Sequence, residues 1–384
     1  VTPGSGFLAP IIALITLTVV GCNAPEPAGR APSSDGTCRL PSPPLRELAA
    51  AHGKTIGTAY RSSFAAGDGC YEEIAGREFG SLTTEIGTMT NTVAPQAGRF
   101  DFREADAVAD RARLRGQDFQ IHSLVWDPLD QQVWGIVPEY VRAMPDAERH
   151  RFMTDLVRTI VQRYANRAST VTVVNEPFDQ RGVLQQNTWW RTTSGEQYIV
   201  DAFRAARRAA PAMKLYLNEH SAETVSDKSN ALLELARRLR SETAEVIVDG
   251  RTERRPILDG VGFQTHMLGG ADQQPRSEDM RPNLRRFTDL GLDIRFTELD
   301  VRIPTEKGRA TDADLQRQAR VYSTMAGLCG ELSRCTGMTV WGFTDRRSWI
   351  TDYPDTFSGY GCANILDQGY AAKPAWEALR SAYR

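Results

Sequence analysis

Two stretches of this 384-residue chain are equipped for acid–base chemistry. The run Val171 to Pro177 (VTVVNEP) and the run Leu292 to Asp300 (LDIRFTELD) are both apolar, β-type segments that end in a glutamate: Glu176 in the first, Glu298 in the second. Barrels of parallel strands carry their chemistry at the C-terminal ends of strands. Two carboxyl groups facing one another across such a barrel mouth are the minimum equipment for cleaving a glycosidic bond. One delivers a proton to the leaving oxygen, and the other attacks or stabilises the anomeric carbon.

The elements that must position these residues follow from pattern. Candidate strands are Ile56–Tyr60, Phe79–Thr83, Phe119–Leu124, Thr170–Val174, Lys214–Leu217, Gly260–Gln264, Asp293–Thr297 and Thr339–Phe343. Between them lie amphipathic helical stretches at Glu104–Arg115, Asp146–Tyr164, Glu196–Ala210, Ser229–Arg240, Asn283–Leu290 and Asp312–Leu332, the last opened by Thr311 as N-cap. Eight strands alternating with helices predict a single (β/α)8 barrel over residues 45–384. A doubly wound sheet is the alternative, but the chain has no Gly-rich phosphate turn to recommend it.

Composition narrows the field. With 41% hydrophobic and 24% charged residues the chain can bury a large core. A formal net charge of −2 gives no basic face for nucleic acid, so no nucleic-acid partner is expected. His122, His220, His266 and Asp127 could converge on a metal, yet none has the short spacing of a zinc site, so neither a metal nor a cofactor is expected. Phe7 to Val20 is apolar but short for a membrane span, and it leads into Val19, Val20, Gly21 and Cys22. Residues 1–22 therefore resemble a bacterial lipoprotein signal, with Cys22 the acylated residue. The Pro/Ala/Ser-rich stretch 23–44 reads as a tether. Export to an outer membrane or cell surface, or secretion, would follow, with the lipid on Cys22 as the membrane contact and a monomer as the expected state. Export also permits disulfides. Cys329 and Cys335 are close enough to staple a helix end to the next strand. Among Cys38, Cys70 and Cys362 the odd count leaves one unpaired, and the sequence does not say which.

Six motifs occur in one order: His122–Trp126 (HSLVW), Val173–Glu176 (VVNE), Leu215–Asn218 (LYLN), Asp259–His266 (DGVGFQTH), Thr297–Asp300 (TELD) and Val340–Asp345 (VWGFTD). Together with the closing Ile365–Ala375 (ILDQGYAAKPA), they resemble glycoside hydrolase family 10, the retaining endo-β-1,4-xylanases. The resemblance implies Glu176 as acid/base and Glu298 as nucleophile. It also implies that His266 orients Glu298, that Asp300 and Asn218 support the site, and that Asn175 meets a sugar hydroxyl. Gln264, His122, Trp126, Trp341 and Trp349 would face the sugar, since indole rings bury its apolar C–H faces. Trp134, Trp189, Trp190 and Trp376 lack such support and read as core or rim.

The loop Thr84 to Thr90 departs from the family. Glu85 is present, but Ile86 stands where the family has Asn and Met89 where it has Lys. Asp127 and His220 replace a usual His and Tyr. Losing polar groups from a hydroxyl-binding shell changes specificity, so weak action on plain linear xylan and preference for a decorated xylan or related β-glycan are expected. Another retaining barrel glycosidase, such as a β-glucanase, and a non-catalytic surface glycan-binding lipoprotein are the alternatives.

Overall fold

Runs rich in Val, Ile, Leu and Thr become strands that are buried on both faces, as parallel strands covered by helices must be. In the computed structural model, which describes residues 38, 40–128, 135–353 and 355–384, eight such strands form the barrel. They are β1 (Thr55–Tyr60), β2 (Ser81–Thr84), β3 (Asp118–Ile121), β4 (Ala168–Asn175), β5 (Lys214–Glu219), β6 (Gly260–Phe263), β7 (Asp293–Pro304) and β8 (Cys335–Val340). Neighbours pair in parallel in chain order, and β8 pairs with both β7 and β1, so the sheet closes with no free edge. The expected (β/α)8 barrel is therefore the fold, with strand boundaries shifted by a few residues. Residues 1–22, expected to be a signal segment ending at Cys22, most of 23–44, and Trp134 lie outside the described residues.

Two strands break register where it matters. On β4 the pairing with β5 shifts between Thr172 and Val174, just before Asn175. On β7 the pairing with β8 shifts between Phe296 and Leu299, at Glu298. Thr172 and Thr297 line a small cavity inside the barrel, together with Thr83, Gln120, Tyr216 and Arg295. Strict alternation would send Asn175 and Glu298 outward toward the helices. An irregularity on each strand reverses that parity and turns both side chains into the barrel mouth.

The helices are stopped and started by local chemistry. Asp312–Glu331 begins with a capping box in which the Thr311 hydroxyl accepts from the Asp314 N–H at 3.2 Å and Asp314 reaches back to Thr311. Asp227–Ser241 uses Ser226 and Ser229 in the same way. Asp146–Tyr164 buries Met153, Leu156, Val157, Ile160, Val161 and Tyr164 against the sheet. The hairpin Thr243–Val248 with Arg251–Pro256, absent from the expected elements, follows the helix Asp227–Ser241; its first strand buries Ala244 and Val246 and its second is mostly exposed.

Disulfides and one buried ion pair tie the ends. Cys329 and Cys335 join the last turn of Asp312–Glu331 to β8, with Cα atoms 5.2 Å apart. Cys38 pairs with Cys70, and Cys362 is not a free thiol either, which corrects the expectation of one unpaired cysteine. Arg77 and Arg380 hold the carbonyls of Leu40, Pro41 and Ser42, so the last residues of the Pro-rich stretch are docked on the barrel. After β8, the buried Lys373 ammonium donates to Asp345 Oδ2 at 2.9 Å and to the Cys362 and Asn364 carbonyls at 2.6 Å each. All three of its protons are thereby used. Lys373→Met would leave Asp345 charged and buried without its partner, and a loss of about 3–5 kcal/mol is expected. Thermal or denaturant unfolding reads this directly, and an unchanged midpoint would contradict it.

Candidate active site

Glu298 is 4% exposed and lies at the floor of the barrel mouth. A buried carboxylate must be satisfied by donors or give up its charge. Here Asn218, at the end of β5, donates to Oε1 at 2.7 Å, and the His266 imidazole meets Oε2 at 3.2 Å. His266 in turn faces Asp300 Oδ2 through Nδ1 at 2.8 Å, and the Trp349 indole N–H donates to that same oxygen at 2.7 Å. The short strand His266–Leu268 pairs with β7 in the register His266 to Asp300, which sets the ring between the two carboxylates.

The electrostatics follow from this sandwich. Burial would lower His266, but Asp300 and Glu298 on either side outweigh it and push the imidazole up to about 10. Burial would likewise raise Glu298, yet His122, His266 and Asn218 bring it below the ordinary glutamate range. His122 Nε2 stands 3.7 Å from Glu298 Oε1, and its own desolvation pulls it down, so at neutral pH the charged partner is His266. The contribution of the His266 cation is complete below the free imidazole value of about 6.5. It is lost only as pH rises through the folded value of about 10.

Glu176 stands just past β4 with a left-handed backbone, φ 53°. Non-glycine residues adopt that region at a cost and mostly where the surroundings enforce it. Its N–H is fixed by the Asn218 carbonyl at 3.0 Å. Its carboxylate receives the Trp126 indole N–H on Oε2 at 3.0 Å and the Gln264 amide on Oε1 at 2.7 Å. Gln264 also donates to Asn175 Oδ1 at 3.2 Å, which accepts from Asn218 at 2.8 Å. A line of three amides, Gln264, Asn175 and Asn218, thus connects the two carboxylates. Thr265, also left-handed at φ 59°, kinks the chain between Gln264 and His266 so that both neighbours reach the mouth.

A cleft of about 490 Å³ covers these groups, lined by both glutamates and by Asn175, Gln264, His266, Trp126, Trp341 and Trp349. Glu85 lines it as well, paired with Arg61 at 2.6 Å. Asn218 and Asp300 lie completely buried behind it. His122 sits beneath the wall, its ring edge-on to Trp341 at 5.0 Å, and borders the inner barrel cavity instead. Trp189 and Trp376 are core residues and Trp190 is partly buried against the core. Asp127 caps the Thr188 N–H at 2.7 Å. Among the described residues no group of three or more His, Cys, Asp or Glu side chains is arranged to hold a metal.

Comparison with known proteins agrees with this geometry. The profile of glycosyl hydrolase family 10 matches residues 44–382. The chain belongs to that family. It is a glycoside hydrolase of endo-1,4-β-xylanase type, 33% identical over 340 residues to endo-1,4-beta-xylanase 1 of Humicola insolens, covering 88% of this chain and 73% of that one. It is also 32% identical to the endo-1,4-beta-xylanase of Agaricus bisporus, covering 79% and 82%. The native structure of xylanase 10B from Thermotoga maritima superposes with a TM-score of 0.79 at 30% identity, over 88% of this chain and 98% of that one. That of Thermotoga petrophila xylanase 10B in complex with xylobiose gives 0.78 at 30% identity, over 90% and 98%.

Several cleft residues of this family 10 hydrolase were not among the sequence candidates. Arg61, Ser221, Glu223, Arg302 and Tyr353 all line the cleft, as does His220. Glu223 is buried, accepts from the Thr265 N–H at 3.1 Å, and is pushed up by desolvation. It follows no strand directly and carries no motif, so pattern gave no signal. Ile86 and Met89 do face the cleft, beside Glu85.

The buried cation sets an expectation for pH dependence. Replacing His266 with Gln removes the charge that holds Glu298 ionised, so the acid limb of kcat/KM should move to higher pH. The loss at the optimum should be roughly 10- to 100-fold, the worth of a charge-assisted hydrogen bond of about 1.5–3 kcal/mol. An acid limb that stays put would show that His266 does not control this carboxylate. Gly262 on β6 is a second probe, because a Cβ there would collide with Asn218 Oδ1 and lie 2.7 Å from Thr297 Cγ2. Gly262→Ala should therefore cut kcat by displacing the Asn218 amide, with a stability loss of only about 1–3 kcal/mol. Full kcat in a folded variant would dismiss that role for Asn218.

Proposed function

We propose that this enzyme hydrolyses internal β-1,4 bonds of xylan with retention, Glu298 as nucleophile and Glu176 as acid/base. The observation that carries the reading is the asymmetry of the two carboxyl groups. Glu298 is held ionised by a fixed cation and a fixed amide, as a nucleophile requires. Among the described residues Glu176 has no cation as a hydrogen-bond partner and meets the neutral donors Trp126, Gln264 and Asn175. In the first step Glu298 attacks the anomeric carbon while the bond to the leaving sugar breaks and Glu176 gives its proton to the departing oxygen. In the second, Glu176 takes a proton from water, and that oxygen displaces Glu298 from the ester. Asn175 Oδ1 already receives two amide donors, and its Nδ2 gives one proton to Glu176 Oε1 at 3.3 Å, so the second Nδ2 proton is the one left to donate to a sugar hydroxyl near the reacting carbon. The relatives named as endo-1,4-beta-xylanases and the xylobiose-bound relative support the substrate class.

Ile86 and Met89 favour a substrate other than plain linear xylan. They put apolar surface on the cleft beside Glu85, whose carboxylate Arg61 already occupies. A xylan with substituents, or a related β-glycan, suits that wall better. Initial rates on linear xylan, decorated xylan and mixed-linkage glucan, with the anomer of the first product followed by NMR, test both statements. Retention with a preference for decorated xylan is expected; an inverted anomer would sink the double-displacement assignment, and a clear preference for linear xylan would remove the second statement. Glu298→Ala should abolish hydrolysis while sugar binding persists, whereas wild-type protein that binds the sugar and releases no product would favour a binding protein.

We also propose that the protein works outside the cytoplasm, as a monomer. Disulfides at Cys38–Cys70 and Cys329–Cys335 fit an oxidising compartment. Gly21 and Cys22 after an apolar run fit attachment of a lipid to the Cys22 thiol. Mass spectrometry of the N-terminal peptide separates a thioether-linked lipid on Cys22 from a Cys22 joined in a disulfide, and the second result would rule out the anchor.

A further inference from the structure

His220 borders the cleft beside Glu176, and its side chain is 29% exposed, a setting in which an imidazole ordinarily takes a proton in mildly acidic solution. Its partners forbid that. Lys228 Nζ lies 3.0 Å from His220 Nε2 and 2.8 Å from Glu219 Oε1. An ammonium has three donors and no acceptor, so at that distance the imidazole must present the Nε2 lone pair. The ring proton is then on Nδ1, which faces Ser221 Oγ at 3.1 Å. A second proton on Nε2 would set N–H against N–H.

The ammonium is held there against its own interest. Lys228 is 1% exposed and sits in the first turn of the helix Asp227–Ser241, where the helix dipole disfavours a cation. What retains it is Glu219, the last residue of β5, completely buried at 2.8 Å from the ammonium, where desolvation pushes its carboxyl up and the charge of Lys228 pulls it back down. Glu219 also accepts the Phe178 N–H at 3.2 Å, two residues past Glu176, and the His220 N–H at 3.0 Å. The same carboxylate therefore fixes the backbone after the acid, the backbone of His220 and the cation that addresses its ring. Charges reach His220 from every side: Glu219 from its own segment, Glu176 from the end of β4, Lys228 from the helix, and His266 and Glu298 from across the mouth. Burial draws the His220 ring down.

We propose that Lys228 is a positioning residue that locks His220 as a neutral Nδ1–H imidazole, keeping a second proton, and with it a positive charge, off the ring beside Glu176. The inference rests on Glu176 being the acid/base. A protonated His220 would favour the ionised form of a carboxyl beside it and discharge the acid before a sugar could leave. The lock leaves His266 as the only charged imidazole in the cleft, next to the carboxylate that must stay ionised. It makes the two histidines opposite in kind: one held charged by two carboxylates, one held neutral by an ammonium.

Nitrogen NMR of the histidine rings in the whole enzyme is the first test. His220 should show an unprotonated Nε2 and a protonated Nδ1 down to pH values below the ordinary imidazole range. Protonation of Nε2 within that range would overturn the lock without any variant. The second test is the pH dependence of kcat/KM. Lys228→Met should move the alkaline limb to lower pH by ~1 unit, the small end of what a nearby opposite charge does. Lys228→Arg, which keeps the donor, should restore the limb, and Lys228→Met combined with His220→Gln should also return it to its original place. A folded Lys228→Met enzyme with an unmoved alkaline limb refutes the proposal, and if that variant does not fold the NMR result decides alone. Failure of the underlying reading looks different: Glu176→Gln would retain activity, while the state of the His220 ring would be as stated.

Discussion

One constraint governs the centre of this enzyme: a carboxylate has been taken out of water at the floor of a barrel and must remain charged. Water cannot do the work there, so fixed donors must. Asn218 supplies one and His266 the other, and each needs its own support. Asn218 is held by accepting from the Thr297 hydroxyl at 2.7 Å and by donating to Asn175. His266 is held by Asp300, and Asp300 by the indole of Trp349, so a cleft-wall aromatic also serves the electrostatics two bonds away. The dependence is geometric. β5 brings Asn218, β6 ends before Gln264 and His266, β7 carries both acids, and the loop after β8 brings Trp349.

The same logic explains why glycine is found at position 262. On β6 the backbone passes so close to Asn218 and Thr297 that any side chain would push the amide away from Glu298. The same fold could be built with alanine there only by moving the donor that Glu298 depends on. Packing and chemistry are one requirement at this point, because the group that fills the space beside Gly262 is the group that holds the charge.

Much of this was legible in the amino-acid order, for a physical reason. β-branched and apolar runs that end abruptly in Asn and Glu are hard to reconcile with a surface, so the strands near 171–176 and 292–300 and their terminal acids stood out. The barrel followed from eight such runs separated by amphipathic helices, and Thr311 as a cap followed from side-chain chemistry that acts within three residues. What stayed hidden depends on contacts distant in sequence. The register irregularities on β4 and β7 leave no local mark, yet they decide which way Asn175 and Glu298 point. Glu219, His220 and Lys228 form one cluster, but Lys228 lies in a polar helix start where nothing distinguishes a buried lysine from a solvated one. The hairpin strand Arg251–Pro256 reads RTERRP, with no apolar alternation, since it packs little and faces solvent. Cys38 and Cys70 could be paired only by seeing the Pro-rich segment docked on the barrel.

The two ends of the cleft obey different rules. The groups around Glu176 and Glu298 sit at strand ends and are cross-braced by amides and ring nitrogens. Any one of them that changes leaves another buried polar group without a partner, a cost of about 1–3 kcal/mol before catalysis is considered. Ile86 and Met89 stand on the loop after β2, outside that bracing, and substituting them orphans nothing. Glu85 beside them is already satisfied by Arg61, which itself reaches Asp352 at 3.4 Å. The wall at Ile86 and Met89 can therefore change its side chains at little structural cost, while the floor cannot change at all without unmaking the charge it was built to hold.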